Sequence, residues 1–270
     1  MSYGSQDPWS VGRGAAVGAE YDLGLRAFML RVYNYMASGL ALTGITAWLA
    51  AETGFYAQIA HSPLIYAVMF APFVLVMLLA ARIQKMSFGA AQATFWAYSA
   101  LMGLSLAGIF LVYTHTSIAL TFFITAATFL SMSLYGYTTK TSLAKMGSFM
   151  MMGLIGIIIA SVVNMFMHST GLQFLVSIIG VIVFTGLTAW DTQRIKEQYD
   201  YVAGSDGQMI GKTAIMGALT LYLDFGNLVL MRLQFFGNRR DSARCRERPK
   251  IEPPGREIFR AVFFWQIVKL

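Results

Sequence analysis

Seven long apolar runs, each nearly free of charge, constrain the fold of this chain more than any other feature of its sequence. A bilayer core about 30 Å thick is spanned by about 20 helical residues, and each run approaches that length. The runs are continuous rather than alternating, which argues against a transmembrane β-barrel. We therefore predict an all-α integral membrane protein with seven transmembrane helices, at residues 35–51, 64–81, 89–112, 118–137, 146–167, 172–190 and 213–236.

Composition supports this class and argues against others. Hydrophobic residues make up 57% of the 270 positions, charged residues make up 12%, and the mean hydropathy is +0.58, so a soluble fold could not cover its surface. Many of the basic residues behind the net charge of +7 lie between the runs and in the tail, without a basic stripe interleaved with aromatics. We therefore expect no nucleic-acid binding. A single cysteine, Cys245, excludes an intrachain disulfide and a cysteine metal cluster.

The placement of lysine and arginine predicts the side of the membrane that each loop occupies. Basic residues precede the first run and occupy the loops after the second, fourth and sixth runs. The loops after the first, third and fifth runs contain no lysine or arginine. Cytoplasmic loops retain these charges, so we predict a cytoplasmic N-terminus. Residues 1–25 then form a polar cytoplasmic segment, and they lack the pattern of a signal peptide.

The C-terminal end conflicts with this topology, because seven crossings place it outside although several arginines follow Arg232. The last run either crosses fully or re-enters and turns back. A full crossing is favoured, since the loops between the runs already place their lysines and arginines on the cytoplasmic side. The expected domains are the N-terminal segment, a seven-helix domain at 26–238, and a basic, proline-containing tail at 239–270, which we expect to be disordered.

Asp224 needs an explanation because it falls inside the seventh run with no lysine or arginine within a helical turn. A mid-helix acid costs about 2.5 to 3.5 kcal/mol to insert into a bilayer. Thr220 and Asn227 share its face by helical spacing, which indicates a polar seam facing the bundle interior. The alternative is a protonated aspartate that only packs.

Asp191 follows the sixth run, and it is either the partner of Asp224 or an ordinary acid at the membrane boundary. Two carboxylates within a few ångströms do not both ionise easily in a low dielectric, so such a pair would hold a proton to higher pH than a free aspartate. Protonation would then switch the packing of the last two helices. Arg82, at the cytoplasmic end of the second run, is the candidate counter-charge, or else a basic membrane anchor.

Two short motifs carry a resemblance to a known family. The stretch DTQRI at residues 191–195, together with LYLDF at 221–225 followed by NL at 227–228, resembles the Bax inhibitor-1 family. The resemblance covers roughly residues 26–238, and among bacterial members it is strongest to the YccA-like branch.

The resemblance implies a central C-terminal helix surrounded by the other six, with Asp191 and Asp224 hydrogen-bonded where the last two helices meet. It implies a multi-pass protein of the bacterial inner (plasma) membrane that leaks calcium in a pH-dependent way. The two aspartates would sense pH, gate the leak and offer calcium the oxygen ligands that hard cations prefer. The alternative implied for YccA-like members is a non-conducting regulator that binds a membrane-embedded AAA protease.

We do not expect an enzyme, and we expect no cofactor apart from calcium as the transported ion. The apolar runs contain no serine–histidine pair and no His-Glu-x-x-His pattern. An aspartyl intramembrane protease would also use two membrane aspartates, but the extended motifs of such enzymes are missing around Asp191 and Asp224. The histidines His61, His115 and His168 lie in or beside outer loops without the spacing of metal ligands.

Overall fold

The computed structural model of the chain describes residues 8–60, 62–167 and 169–238, with side chains from residue 20 onward. Those ranges contain helices and no β-strand, which confirms the all-α prediction. The tail at 239–270, Cys245, His61 and His168 lie outside the described residues. The helices are α1 (Pro8–Glu52), α2 (Phe55–Ala60), α3 (Leu64–Arg82), α4 (Phe88–Leu106), α5 (Gly108–Val112), α6 (His115–Thr138), α7 (Ala144–Met167), α8 (Thr170–Val202) and α9 (Gly207–Phe236).

Six helical segments are long and apolar enough to cross a membrane: α3, the consecutive pair α4 and α5, α6, α7, α8 and α9. They correspond to the second through seventh predicted runs, so the chain is a multi-span membrane protein. The first run, 35–51, forms the C-terminal part of α1 and is not among the six. The run lies between Asn34 and Glu52 and is shorter than 18 residues, so 18 consecutive residues that cover it include a polar side chain. Helix α1 also continues toward the N-terminus as far as Pro8, through the boundary expected near residue 25.

Polar caps determine where several helices begin. The side chains of Ser87, Thr114, Ser169 and Asp206 each accept a hydrogen bond from the backbone N–H three residues later. These bonds satisfy N–H groups that have no partner within the helix. Because Asp206 caps α9, this helix starts at Gly207, before the apolar run that begins at residue 213.

Helix α9 is the most enclosed of the six candidate spans. In its most apolar 18-residue stretch 72% of the residues are buried, against 50% for α8 and 17% for α7. Helices α1, α4, α6 and α8 all pack against it. Helix α7 instead exposes large apolar side chains such as Phe149, Met152 and Phe166, which suit contact with lipid.

Glycine allows the backbones of α6 and α8 to approach closely beside the candidate site. A Cβ atom added at Gly136 would overlap the carbonyl group of Ala189. Small residues at helix interfaces permit such contacts in membrane bundles, where packing replaces the hydrophobic effect as the force between helices. This contact fixes α6 against the part of α8 that carries Asp191.

Replacing Gly136 with alanine should therefore destabilise the bundle, since the added methyl group has no space. Overpacking of this kind costs about 1–3 kcal/mol. Thermal unfolding of the purified protein in detergent should show a lower midpoint for Gly136→Ala than for the wild type. Gly156→Ala is the matched control, because nothing lies within 4 Å of a Cβ atom added there. Equal midpoints for the two variants would contradict the close approach of α6 and α8.

Candidate intramembrane carboxylate site

Asp191 and Asp224 lie in the interior of two long helices. Helix α8 continues past Asp191 to Val202, and α9 begins at Gly207, well before Asp224. The two residues are 1% and 0% exposed. Asp191 is therefore enclosed by protein, and its position relative to the membrane boundary stays a prediction.

Two contacts fix the register between α8 and α9. Ser177 Oγ donates a hydrogen bond to Gln234 Oε1 at 3.1 Å. Further along, a Cβ atom added at Gly217 would lie 3.1 Å from Cγ2 of Ile195, so these helices are also close there. The contacts run in opposite directions along the two sequences, which makes the helices antiparallel.

This register places the two aspartates at neighbouring depths. Counting from the contacts above, Asp191 is level with about Leu221 of α9, and Asp224 is level with about Leu187 of α8. The offset between the acids is about one helical turn, or ~5 Å along the axis. The early start of α9 and the long extension of α8 produce this match, which the lengths of the apolar runs do not predict.

The predicted polar neighbours of Asp224 behave differently from each other. Asn227, three residues further on, is 0% exposed, as expected for a polar seam that faces the bundle interior. The Thr220 hydroxyl donates to the carbonyl of Met216 within α9, at 3.1 Å. Asn227 is therefore the neighbour that extends the buried polar surface.

Arg82 lies at the end of α3 with an exposed side chain. An ion pair at 3.7 Å joins His115 and Glu52 and does not involve Arg82. Its role as counter-charge stays a prediction. The described ranges contain no group of three or more histidine, cysteine, aspartate or glutamate side chains that could hold a metal ion.

A hydroxyl network from three helices ends beside Asp191. The Tyr33 hydroxyl of α1 lies 2.6 Å from Ser133 Oγ of α6, which lies 3.0 Å from Thr192 Oγ1 of α8. Thr192 directly follows Asp191 and is 0% exposed. The network ties α1, α6 and α8 together at this depth.

A second network lies close to Asp224 in the sequence. The Tyr222 hydroxyl of α9 lies 2.7 Å from Thr43 Oγ1 of α1, and Thr43 Oγ1 lies 2.9 Å from the carbonyl of Ser99 in α4. All three residues are buried. Sequence reasoning missed both networks, although isolated serines and threonines within apolar runs often hydrogen-bond between membrane helices.

Beyond the buried acid, α8 continues as a charged extension to Val202. Lys196 donates to the carbonyl of Tyr137 at 3.0 Å. Tyr21 of α1 donates to the carboxylate of Asp200, and this hydrogen bond is the main reason that the pKa of Tyr21 is raised to about 12. The N-terminal part of α1 is therefore attached to α8 outside the apolar run.

Fold and site together define a multi-span membrane protein with two acids enclosed between adjacent helices. The family model described as inhibitor of apoptosis-promoting Bax1 matches residues 25–241. This chain belongs to the Bax inhibitor-1 family, which confirms the resemblance carried by its two motifs.

Similar proteins come from several bacteria. Protein RP147 of Rickettsia prowazekii is 49% identical over 231 residues, covering 82% of this chain and 93% of that protein. The inner membrane protein YbhL of Escherichia coli is 48% identical over 219 residues, covering 80% and 94%. Protein YrjE of Lactococcus lactis is 37% identical over 218 residues, covering 79% and 92%. The likeness extends over nearly the full length of each relative.

Ser133→Ala should lower the thermal midpoint, because it removes the hydroxyl between Tyr33 and Thr192. Losing a buried hydrogen bond of this kind costs about 0.5–2 kcal/mol. Unfolding in detergent measures the change. Ser131→Ala is the control, since Ser131 is exposed and donates to Ala127 within α6. A loss of the same size in Ser131→Ala would argue against a network that joins helices.

Proposed function

We propose that this protein is a pH-sensitive calcium (cation) leak channel gated by Asp191 and Asp224. The observation that carries the proposal is the burial of both carboxylates inside adjacent membrane helices at neighbouring depths. Acids are expensive in such a position and usually line an ion or proton pathway. Carboxylate oxygens are also the ligands that calcium prefers.

The proposed architecture has seven crossings, with the C-terminal part of α1 as the first and α9 in the centre. The enclosure of α9 by α1, α4, α6 and α8 supports the central position. We further propose a bacterial inner (plasma) membrane location, supported by the printed description of the relative YbhL as an inner membrane protein. The basic loops support a cytoplasmic N-terminus.

In the proposed gate, the protonation state of the pair controls the contact between α8 and α9. When one carboxyl group holds a proton, it donates a hydrogen bond to the other and keeps the helices together. When both are ionised, they repel each other and attract a cation. The leak should therefore rise with increasing pH. The proposal includes no catalytic step and no bound cofactor.

Calcium influx into liposomes that contain the purified protein tests the gate. Flux should rise from mildly acidic to mildly alkaline pH, and both Asp191→Asn and Asp224→Asn should lower it at least about tenfold. A carboxylate about 4 Å from a unit charge contributes about 4 kcal/mol at an effective dielectric constant near 20, so losing one of the two removes about half of their attraction for calcium. Glu197→Gln, an exposed acid of the same helix, should keep the wild-type profile. Flux equal to that of empty liposomes at every pH would refute the leak.

The second candidate function is a non-conducting regulator that binds a membrane-embedded AAA protease. The observation that favours it is the extension of α1 to Pro8, attached to α8 through Tyr21 and Asp200. Such a cytoplasmic helix offers a surface to a partner.

Deleting residues 1–19 tests this second function. The full chain, but not the truncated one, should co-purify with a membrane AAA protease from the same membranes. Co-purification that does not depend on these residues would exclude the segment as the binding surface. This result combined with normal calcium flux would leave the channel as the function.

A further inference from the structure

A half-buried cationic side chain lies at a place that the proposed gate does not use. Arg232 belongs to α9, and its Nη2 donates a hydrogen bond to Thr128 Oγ1 of α6 at 2.9 Å. Thr128 lies 13 residues after His115, where α6 begins, which corresponds to about 20 Å along the helix. The guanidinium group is therefore close to the middle of a membrane-spanning helix.

The described residues offer this charge little compensation. A guanidinium group carries five N–H donors, and here it makes one hydrogen bond, to a neutral hydroxyl. A charge in a low-dielectric interior requires a counter-charge or water nearby. Arg232 is thus suited to hold a counter-ion that does not belong to the chain.

Hydroxyl groups lead along α6 from its start to this guanidinium group. Ser117, Thr121, Thr125 and Thr128 follow one another at spacings of four, four and three residues, so they share one face of the helix. The first three are 9%, 5% and 0% exposed. This face is turned toward the protein interior.

Thr125 gives an independent indication of a ligand. Its Oγ1 is buried and has no hydrogen-bond partner in the described part of the protein. Most threonines of these helices donate to a carbonyl of the preceding turn, as Thr128 does to Ile124 at 3.0 Å. An unsatisfied buried hydroxyl costs about 1–3 kcal/mol, which a ligand could recover.

We propose that Arg232, Thr125 and Thr128 bind a small inorganic anion of the size and charge of chloride. The guanidinium group neutralises the anion, and the Thr125 hydroxyl donates to it. The hydroxyl face of α6 forms the approach from the His115 end of the helix. Rings of basic side chains select anions in membrane pores by the same electrostatic principle.

Aromatic packing makes this environment favourable for an anion. On the same side of α9, the ring of Phe225 lies 5.3 Å from that of Phe122 and 5.5 Å from that of Phe129, both in α6. Phe129 and Phe225 are buried and keep water out where they meet, whereas Phe122 is exposed. Coulomb attraction to a guanidinium group is stronger where water is excluded. The anion site does not depend on the proposed calcium leak.

Thermal unfolding of the purified protein in detergent tests the site, with sodium chloride compared against sodium gluconate at equal ionic strength. For a dissociation constant of about 10 mM, chloride at about 150 mM favours the folded state by a factor of about 16. This corresponds to a midpoint higher by about 3–6 °C. Arg232→Gln should abolish the difference between the salts. Arg82→Gln, at an exposed arginine, should preserve it.

Thr125→Val provides a second test if Arg232→Gln does not fold. The valine keeps the shape of the threonine side chain and removes its hydroxyl group. This variant should bind radioactive chloride several-fold more weakly than the wild type in equilibrium dialysis. Wild-type protein that neither binds chloride nor gains stability from it would overturn the proposal. A chloride effect that persists in Arg232→Gln would overturn it as well. The proposal would also be overturned if Arg232→Gln no longer changed the response of the midpoint to chloride in an Asp224→Asn background. Asp224 would then be the counter-charge of Arg232.

Discussion

The need to keep charged groups away from lipid determines how this bundle is arranged. Asp191 and Asp224 are buried, and helix α9, which carries Asp224, packs against α1, α4, α6 and α8. Burial keeps a carboxylate away from lipid but also removes it from water, which costs free energy. The folded state therefore needs other polar groups close to each buried carboxylate. The hydroxyl networks at Thr192 and Tyr222 lie beside these acids in the sequence, and they link α1, α4, α6, α8 and α9.

Hydropathy predicted the fold class and six of the spans because it reports where a segment can meet lipid. It did not predict where the helices end. Helix α8 continues to Val202 and α9 starts at Gly207, since nothing in the charged segments breaks a helix until Gly204 and the cap at Asp206. For this reason the sequence left open whether Asp191 is a boundary acid or the partner of Asp224, and the structure shows that its side chain is buried.

The polar contacts between helices could not be predicted from one sequence, because they depend on which helices are neighbours. Ser133 and Thr43 look like ordinary small residues of apolar runs. Only the close approach of α6 to α8, made possible by Gly136, places Ser133 within reach of Thr192. Arg232 was overlooked for a related reason, since an arginine near the end of an apolar run resembles a membrane anchor.

Asp224 and Arg232 lie on one helix, yet they do little to compensate each other. Eight residues separate them, or about 12 Å along the axis and about 80° around it. At an effective dielectric constant near 20, unit charges this far apart attract by about 1.4 kcal/mol, less than the several kcal/mol needed to bury an ionised aspartate. Each charge therefore requires partners from a different neighbour. Asp224 lies in the contact between α9 and α8, whereas Arg232 reaches Thr128 of α6, so α9 presents opposite charges to different helices of the bundle.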